Sequence, residues 1–207
     1  LGQGPHLVIT PLNLDTKFEA WRFLTEDTDT SLAYQSQVFE GNYEWQVYSK
    51  AYAEQEWKGV EPWNPPTSLI LSPGESISFG LRFTAVSTVD EIEPTVSSLG
   101  HPVAVGIPGY VLTQDLEGRL FINTTLKPDS VDASPNGCIS ATSLDLKSST
   151  WIGYKLVPNK DIFGRCRVEI VYDTGLKHAL HYYITDAGPS TLSNAGRFLE
   201  ENQWYTN

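Results

Sequence analysis

The alternation of apolar and polar side chains is the feature that most constrains the fold of this chain. In SISFGLRF, residues 76–83, every second side chain is apolar and the side chains between them are small or charged. Successive side chains of a strand point to opposite faces, so a period of two is typical of a strand with one buried face. The turn sequence SPGE precedes this segment, and the apolar segment Thr67–Leu71 precedes the turn. The pattern therefore predicts a hairpin over residues 67–83.

The same pattern continues through the second half of the chain. RVEIVY, Arg167–Tyr172, and KHALHYYIT, Lys177–Thr185, flank the turn sequence DTGL and predict a second hairpin. GHPVAVGIPGYVLTQDLEGRLFI and WIGYKLV are also strand-like, with Gly and Pro at the breaks. Because many strands are separated by turns and little helical periodicity is sustained, we predict a mainly β fold, a large antiparallel β-sandwich.

The strand pattern ends at Asp186-Ala187-Gly188-Pro189, and a helical sequence follows it. STLSNAGRFLEENQWY, Ser190–Tyr205, predicts a helix with Ser190 or Ser193 as its N-cap. We therefore predict a β-sandwich domain over residues 1–185, and a linker with the start of a helix over residues 186–207. The chain opens without an initiator Met or a signal-peptide pattern, and we expect it to be a piece of a longer protein.

The charge of the chain argues against two classes of partner. Its 14 Lys and Arg residues stand against 25 Asp and Glu residues, which gives a net charge of −11. Such a chain lacks the electrostatic footprint of a protein that binds nucleic acid or an anionic membrane. It also contains no run of about 18 apolar residues, the minimum for a membrane-spanning helix. We therefore expect neither nucleic acid nor a membrane as a partner.

Three residues bear on the cellular compartment. Cys138 and Cys166, the two cysteines, lie in the polar contexts NGCIS and GRCRV. A disulfide between them would stabilise the fold by roughly 3–4 kcal/mol on the chain-entropy argument, and two free thiols are the alternative. Asn123 begins an Asn-Thr-Thr glycosylation sequon that we place on an exposed strand edge. Together these features favour a secreted, extracellular glycoprotein.

Most motifs that carry chemistry are missing from the sequence. It contains no GxSxG, no P-loop and no dinucleotide-binding fingerprint. His178 and His181 form an HxxH pattern, but residues three apart in a strand point to opposite faces and cannot share one metal ion. We interpret the acidic run Asp90–Glu93 as a solvated turn. We expect no metal ion and no cofactor.

The aromatic stretch at residues 43–67, YEWQVYSKAYAEQEWKGVEPWNPPT, is the best candidate for a binding function. Trp45 falls on an apolar stripe whether the segment is a strand or a helix, so we predict that it lies in the core. Trp57 and Trp63 lie among loop residues, where a ring beside a carboxylate could hold the apolar face of a sugar; packing is the alternative. His101, in the loop LGHPV, could also reach a site, with turn capping as its alternative. The candidate carbohydrate contacts are Trp57, Trp63, Glu56 and His101.

Several sequence segments of the chain resemble those of a known family. FEGNYEW, SKAYAEQEW, PWNPPTSLILSPGESISFGLRF, GIPGYVLTQD and GRCRVEIVYDTG are similar to a fungal secreted family described as six-hairpin glycosidase-like. The resemblance covers most of residues 7–185. It implies a β-sandwich of the supersandwich type joined to an (α/α)6 barrel, as in several glycoside hydrolases and in polysaccharide lyases such as the rhamnose–glucuronate lyases. The final helix then resembles the link into that barrel.

The resemblance implies a carbohydrate-active parent enzyme but assigns no catalytic residue. The segments that carry the resemblance are strand and turn sequences. None of them matches a catalytic position, so we expect this piece alone to be inactive. The implied partners are the (α/α)6 barrel of the same parent protein and a plant or fungal polysaccharide or oligosaccharide. A self-standing carbohydrate-binding module and a purely structural sandwich are the alternatives.

Overall fold

The computed structural model describes residues 4–24, 42–147 and 150–203. The predicted mainly β fold, with antiparallel sheets and a C-terminal helix, is confirmed. The chain divides into two compact units: residues 1–8 with 85–207, here called the sandwich unit, and residues 9–84, here called the N-terminal unit. Strands β1, His6–Pro11, and β4, Leu81–Val86, pair with each other, and the division falls within both. The predicted boundary at residue 185 stays a prediction.

The sandwich unit contains two four-stranded sheets. The first has the order β5-β7-β10-β9, formed by Val103–Ile107, Gly118–Asn123, Trp151–Pro158 and Ile139–Leu144. The second has the order β6-β12-β11-β8, formed by Val111–Thr113, Lys177–Thr185, Gly164–Tyr172 and Pro128–Ser134. Neighbouring strands are antiparallel, except that β6 runs parallel to β12. The predicted strands at residues 100–122 and 151–157 and the predicted β11–β12 hairpin are therefore confirmed.

The core of the sandwich unit is built from the alternation seen in the sequence. On β11, every second side chain from Cys166 to Tyr172 is buried, and β12 places Tyr182 and Leu180 directly opposite Cys166 and Val168. Leu120 and Leu156 of the first sheet belong to the same buried cluster. Each such side chain stabilises the fold by about 1.5–3 kcal/mol through burial, which accounts for the period of two.

A disulfide joins Cys138 to Cys166, with the two Cα atoms 5.9 Å apart. Cys138 immediately precedes β9 of the first sheet and Cys166 lies in β11 of the second, and both are fully buried. The bond therefore ties the two sheets together inside the core.

The position predicted for the glycosylation sequon is wrong in one respect. Asn123 ends β7, which lies between β5 and β10, and it is paired with Val103 on one side and Trp151 on the other. It is half-buried at the end of an interior strand and does not lie on an exposed strand edge.

Two helical segments correct details of the sequence interpretation. Asp90–Glu93 is not a turn: a 3-10 helix, Val89–Glu91, leads into helix α2, Ile92–Ser98. Helix α1, Lys50–Glu54, belongs to the N-terminal unit. The Glu91 carboxylate accepts the Ser87 N–H at 2.9 Å, and Pro94 lies in the first turn of α2, where proline is tolerated.

The C-terminal helix α3 spans Gly188–Phe198 and continues as a π-helix, Leu199–Gln203; residues 204 and 205 of the predicted helix lie outside the described residues. Its N-cap is Ala187 and not Ser190 or Ser193. Pro189 is favoured in the first turn, so the helix begins before Ser190. The Asp115 carboxylate accepts the Gly188 N–H at 2.9 Å, a hydrogen bond that replaces a serine cap.

The N-terminal unit is built around a second strand pair. Strands β2, Ala20–Leu24, and β3, Asn42–Gln46, are antiparallel, and the short helix α1, Lys50–Glu54, follows. Among the described residues, no helix of the chain is long and apolar enough to cross a membrane.

The predicted hairpin over residues 67–83 is wrong, although its turn is present. The Glu75 N–H donates to the Ser72 carbonyl at 3.0 Å, and Gly74 has φ +88°, as the turn requires. Residues 61–80 contain no strand. Gly80 donates to the Thr16 hydroxyl and accepts from the Leu12 N–H, so this segment bonds to the loop at residues 12–16.

Candidate functional site

Four aromatic rings lie together at the β2–β3 strand pair of the N-terminal unit, three on its strands and one just before β2. Trp21 and Trp45 are directly opposite each other in the strand register, and their ring centroids are 5.1 Å apart. Trp21 also stacks on Tyr43 at 5.1 Å, and Phe18 meets Trp45 edge-on at 5.2 Å. We call Phe18, Trp21, Tyr43 and Trp45 the aromatic cluster. Because each ring packs against another, their relative positions are set before any ligand binds.

All four rings of the aromatic cluster are exposed to solvent. Trp21 is 54% exposed and Trp45 is 38% exposed, so the prediction that Trp45 lies in the core is wrong. The strand interpretation holds only as far as Gln46, since Lys50–Glu54 is helical. Only one face of β3 is covered: Gln46 is buried while Trp45 lies on the other face. Exposed rings fixed against one another form the kind of surface on which the apolar C–H face of a sugar can stack.

The carboxylate of Glu19, beside Phe18, holds the surrounding segments together. It accepts the Ser49 N–H at 2.9 Å, the Ser49 hydroxyl at 2.8 Å and the Thr67 N–H at 3.0 Å, and also the Thr67 hydroxyl. The backbone carbonyl of Glu19 accepts a hydrogen bond from the Asn64 side-chain amide at 3.0 Å. These bonds join the start of β2 to the start of α1 and to the loop that follows Trp63.

The hydrogen bonds to Glu19 determine its charge. Partial burial by itself raises the pKa of this carboxyl, but the hydrogen bonds from Thr67 and Ser49 outweigh burial and leave the pKa below its ordinary value. Glu19 is therefore ionised at neutral pH and serves as an anchor for the backbone. A general acid would need the opposite shift.

The predicted carbohydrate contacts lie outside the aromatic cluster. Trp57 is half-buried and packs on Tyr52 at 5.9 Å, which agrees with the packing alternative, whereas Trp63 is 54% exposed. Glu56 is exposed next to Trp57, and His101 is half-buried in the sandwich unit, between α2 and β5. A role in sugar binding stays a prediction for all four.

The described residues do not form a metal-binding site. His178 and His181 occupy opposite faces of β12: His178 lies on the core side, with its Nδ1 3.3 Å from the Tyr172 hydroxyl, and the Arg167 position faces His181 from β11. Burial lowers the pKa of both imidazoles, so both are neutral at pH 7. In the described ranges no group of three or more His, Cys, Asp and Glu side chains is placed to hold an ion.

Sequence reasoning missed the aromatic cluster as a site, because it placed Trp45 in the core and did not consider Phe18 and Trp21. Phe18 and Trp21 occur in KFEAWRF, whose aromatic residues could have been compared with YEW at residues 43–45 as a second aromatic strand face. The pairing of Trp21 with Trp45 joins positions that are 24 apart in the chain, and no local pattern specifies that register.

Comparison with known proteins gives a family and a fold. A sequence profile described as "Family of unknown function (DUF5695)" matches residues 1–207. No curated protein matches the sequence. A solved structure described as "Polysaccharide Lyase BACCELL_00875" is similar with a TM-score of 0.50 and 16% sequence identity, over 67% of this chain and 20% of that chain. At that identity the similarity concerns the fold alone, and this chain corresponds to about a fifth of the lyase's length.

Proposed function

The chain belongs to the DUF5695 family, and we propose that it is the β-sandwich domain of a carbohydrate-active enzyme that acts on a polysaccharide. The observation that carries the proposal is the aromatic cluster: four packed, solvent-exposed rings, three on one strand pair and Phe18 just before it. Trp and Tyr rings with this exposure are suited to the apolar faces of sugar rings. The fold shared with part of a polysaccharide lyase supports the same proposal.

In this proposal the domain packs on an (α/α)6 catalytic barrel of the same parent protein and contributes to its substrate cleft. Exposed large apolar side chains support a packing role. Ile70 is 89% exposed, and Leu69, Leu71 and Phe79 of the same unit are exposed as well. Apolar side chains clustered at a surface mark contact with another protein surface more often than free solvent.

A secreted location is part of the proposal. The buried disulfide between Cys138 and Cys166 supports it, because disulfides persist in oxidising compartments and are rare in the cytosol. Whether the parent enzyme cleaves its plant or fungal substrate by hydrolysis or by elimination depends on catalytic residues that we do not assign to this chain.

The second candidate function is a self-standing carbohydrate-binding module, and the same aromatic cluster favours it. The two hypotheses differ in what the parent enzyme loses. If the chain is a module, substitutions in the aromatic cluster reduce binding to insoluble polysaccharide and leave turnover of soluble oligosaccharides unchanged. If the chain contributes to the cleft, the same substitutions reduce both binding to insoluble polysaccharide and turnover of soluble oligosaccharides.

Binding of the chain to a panel of neutral plant polysaccharides, by affinity gel electrophoresis and calorimetry, tests the proposal. Trp21→Ala and Trp45→Ala should each weaken binding by about 5- to 150-fold, which corresponds to about 1–3 kcal/mol. Phe79→Ala is the matched control, because Phe79 is an exposed aromatic residue of the same unit outside the aromatic cluster. Equal losses in all three variants, or no binding to any polysaccharide, would contradict the proposal.

A further inference from the structure

The planes of the four rings in the aromatic cluster point in different directions. Trp21 and Trp45 are tilted by 52° to each other, and Phe18 meets Trp45 at 67°. Trp21 and Tyr43 are closer to parallel, with 23° between their planes, but their centroids are only 5.1 Å apart. Two rings side by side in one plane at that distance would bring their edge carbons closer than the roughly 3.5–4.0 Å of van der Waals contact. Rings that contact each other in the aromatic cluster therefore do not share a plane.

The strand pair accounts for the tilt between the rings. Strands β2 and β3 form a sheet of two strands in the part of the chain that the structure describes. Two-stranded ribbons twist more strongly than wide sheets. Tyr43 and Trp45 occupy alternate positions of β3, on the same face as Trp21, so the twist rotates one ring relative to the next. Because the rings also pack against each other, the tilt is present before a ligand binds.

Phe18 extends the aromatic cluster beyond the strand positions. The Glu19 N–H donates to the Gln46 carbonyl at 3.0 Å, which continues the strand pair to the residue after Phe18. The Glu19 carboxylate then bonds this segment to the two segments described above. The Phe18 ring is 41% exposed even though it contacts Trp45. Phe18 is therefore held through its neighbouring backbone and through its ring, at a steep angle to Trp45.

The charged residue between two of the rings lies on the other face of the strand. Glu44 follows Tyr43 and precedes Trp45, and successive side chains of a strand alternate between faces. Its carboxylate accepts a hydrogen bond from the Gln46 side-chain amide at 2.9 Å, on the face opposite to the rings. Recognition by the ring-bearing face of β3 therefore relies on stacking and on shape, and it does not use the charge of Glu44.

A flat polymer surface and a single chain differ in what they present to tilted rings. The surface of a crystalline polysaccharide holds its sugar rings in one plane, so only aromatic rings that share a plane can contact it together. A single chain turns about its glycosidic bonds and presents successive C–H faces in different directions. Stacking requires each aromatic face to lie against an apolar sugar face. The aromatic cluster can therefore contact several sugars of one chain, whereas it meets a flat surface with one ring.

We infer that the aromatic cluster binds a single, conformationally free polysaccharide chain and does not bind the flat surface of a crystalline polymer. This inference rests on the proposed function, because it specifies the physical form of the polysaccharide at the same site. At least two of the tilted rings contact different sugars of one chain. The tilt, fixed by strand pairing and ring packing, selects the chain shape that fits and excludes the flat one.

Polymers matched in sugar and different in form test the inference. The intact chain is tested against mixed-linkage β-glucan and microcrystalline cellulose, and against galactomannan and crystalline mannan. Affinity gel electrophoresis measures binding to the soluble polymers, and depletion from the supernatant measures binding to the solids. We expect retardation by at least one soluble polymer. The solids should remove no more of the wild type than of Trp21→Ala, in which a ring of the aromatic cluster is missing.

Two variants with differently oriented rings show whether more than one ring is used. Phe18→Leu keeps apolar packing on Trp45 but removes a ring tilted by 67°, and it should weaken binding to the soluble polymer about 5-fold or more. Trp21→Ala should have an effect of similar size. A flat ligand would contact one plane, so only one of these substitutions would then matter. Phe79→Ala, outside the aromatic cluster, is the control and should leave binding unchanged. Thermal unfolding of each variant separates a loss of binding from a loss of folding.

The outcomes distinguish this inference from the proposed function. If the crystalline solids bind the chain and Trp21→Ala abolishes that binding, the inference is refuted and the proposed function stands. If Trp21→Ala abolishes binding to a soluble polymer but Phe18→Leu and Trp45→Ala have no effect, a single ring is sufficient and the inference is again refuted. Absence of binding to every polymer, in either form, contradicts both the inference and the proposed function.

Discussion

At the residue scale, Glu19 connects segments of the N-terminal unit that are far apart in sequence. Its carboxylate bonds to Ser49 at the start of α1 and to Thr67, and its backbone bonds to Asn64. Each of these bonds fixes a loop that contains few buried apolar side chains. The geometry of the surface near Phe18 therefore depends on one ionised group.

Replacing Glu19 by Gln should loosen these loops. The variant loses the charge of the acceptor, and we expect a local destabilisation of about 1–3 kcal/mol at pH 7. Hydrogen exchange at the Ser49 and Thr67 amides, which donate to Glu19, measures it. Glu54→Gln is the control, since Glu54 is an exposed carboxylate paired with Lys50 on the same helix. Unchanged exchange at both amides would contradict the prediction.

The same carboxylate predicts a dependence on pH. The pKa of Glu19 in the folded chain lies below its ordinary value of 4.5, so the unfolded chain binds more protons in acid. Its stabilising contribution is therefore fully present above pH 4.5 and is lost as the pH falls through the folded-state pKa. Exchange of the two amides should accelerate in this acid range in the wild type, relative to the intrinsic rate, and change less in Glu19→Gln.

A second prediction at the residue scale concerns Gly106 in β5. A Cβ atom at this position would lie 3.0 Å from the Gly109 carbonyl oxygen and 3.2 Å from the Tyr110 ring. Gly106→Ala should reduce the free energy of unfolding by about 1–3 kcal/mol, because a backbone oxygen cannot move aside as a flexible side chain can. Gly109→Ala, which meets no atom within 4 Å, should change it by no more than about 0.5 kcal/mol in chemical denaturation.

At the element scale, the two predicted hairpins had opposite outcomes for one physical reason. β11 and β12 use each other's backbone groups along their whole length, so a local turn and two alternating segments are sufficient. The segment after the turn at Ser72–Glu75 bonds to Asn13 and Thr16, which are more than 60 residues away. A segment whose hydrogen-bond partners are remote cannot be assigned from its own pattern.

The disulfide acts at the same scale, since it connects β9 to β11. The double variant Cys138→Ala/Cys166→Ala should lose about 3–4 kcal/mol of unfolding free energy, the chain-entropy value for a loop with a sequence separation of 28. Urea denaturation with and without a reductant measures it. The reductant should lower the stability of the wild type to that of the variant and leave the variant itself unaffected.

At the scale of the whole molecule, the buried and exposed apolar residues have different roles. Leu112 is fully buried in the sandwich core, whereas Ile70 of the N-terminal unit is 89% exposed. Leu112→Ala should cost about 2–5 kcal/mol of unfolding free energy, and Ile70→Ser should cost at most about 0.5 kcal/mol. Ile70→Ser should instead reduce binding of a hydrophobic dye. A large loss of stability in Ile70→Ser would contradict the idea that its side chain is available for a partner surface.

The sequence by itself determined the fold class, six strands of the sandwich unit (β5 to β7 and β10 to β12) and the C-terminal helix, because alternation and turn chemistry are local properties of the chain; it did not predict β8 and β9. It also showed that His178 and His181 lie on opposite faces, since that follows from the period of a strand. Only the tertiary structure decided that Trp45 is exposed, that Trp21 and Phe18 join it, and that Arg165 and Arg167 face Tyr183 and His181. Those facts depend on which strands pair and which faces stay uncovered, and strand register and burial arise from contacts between segments distant in sequence.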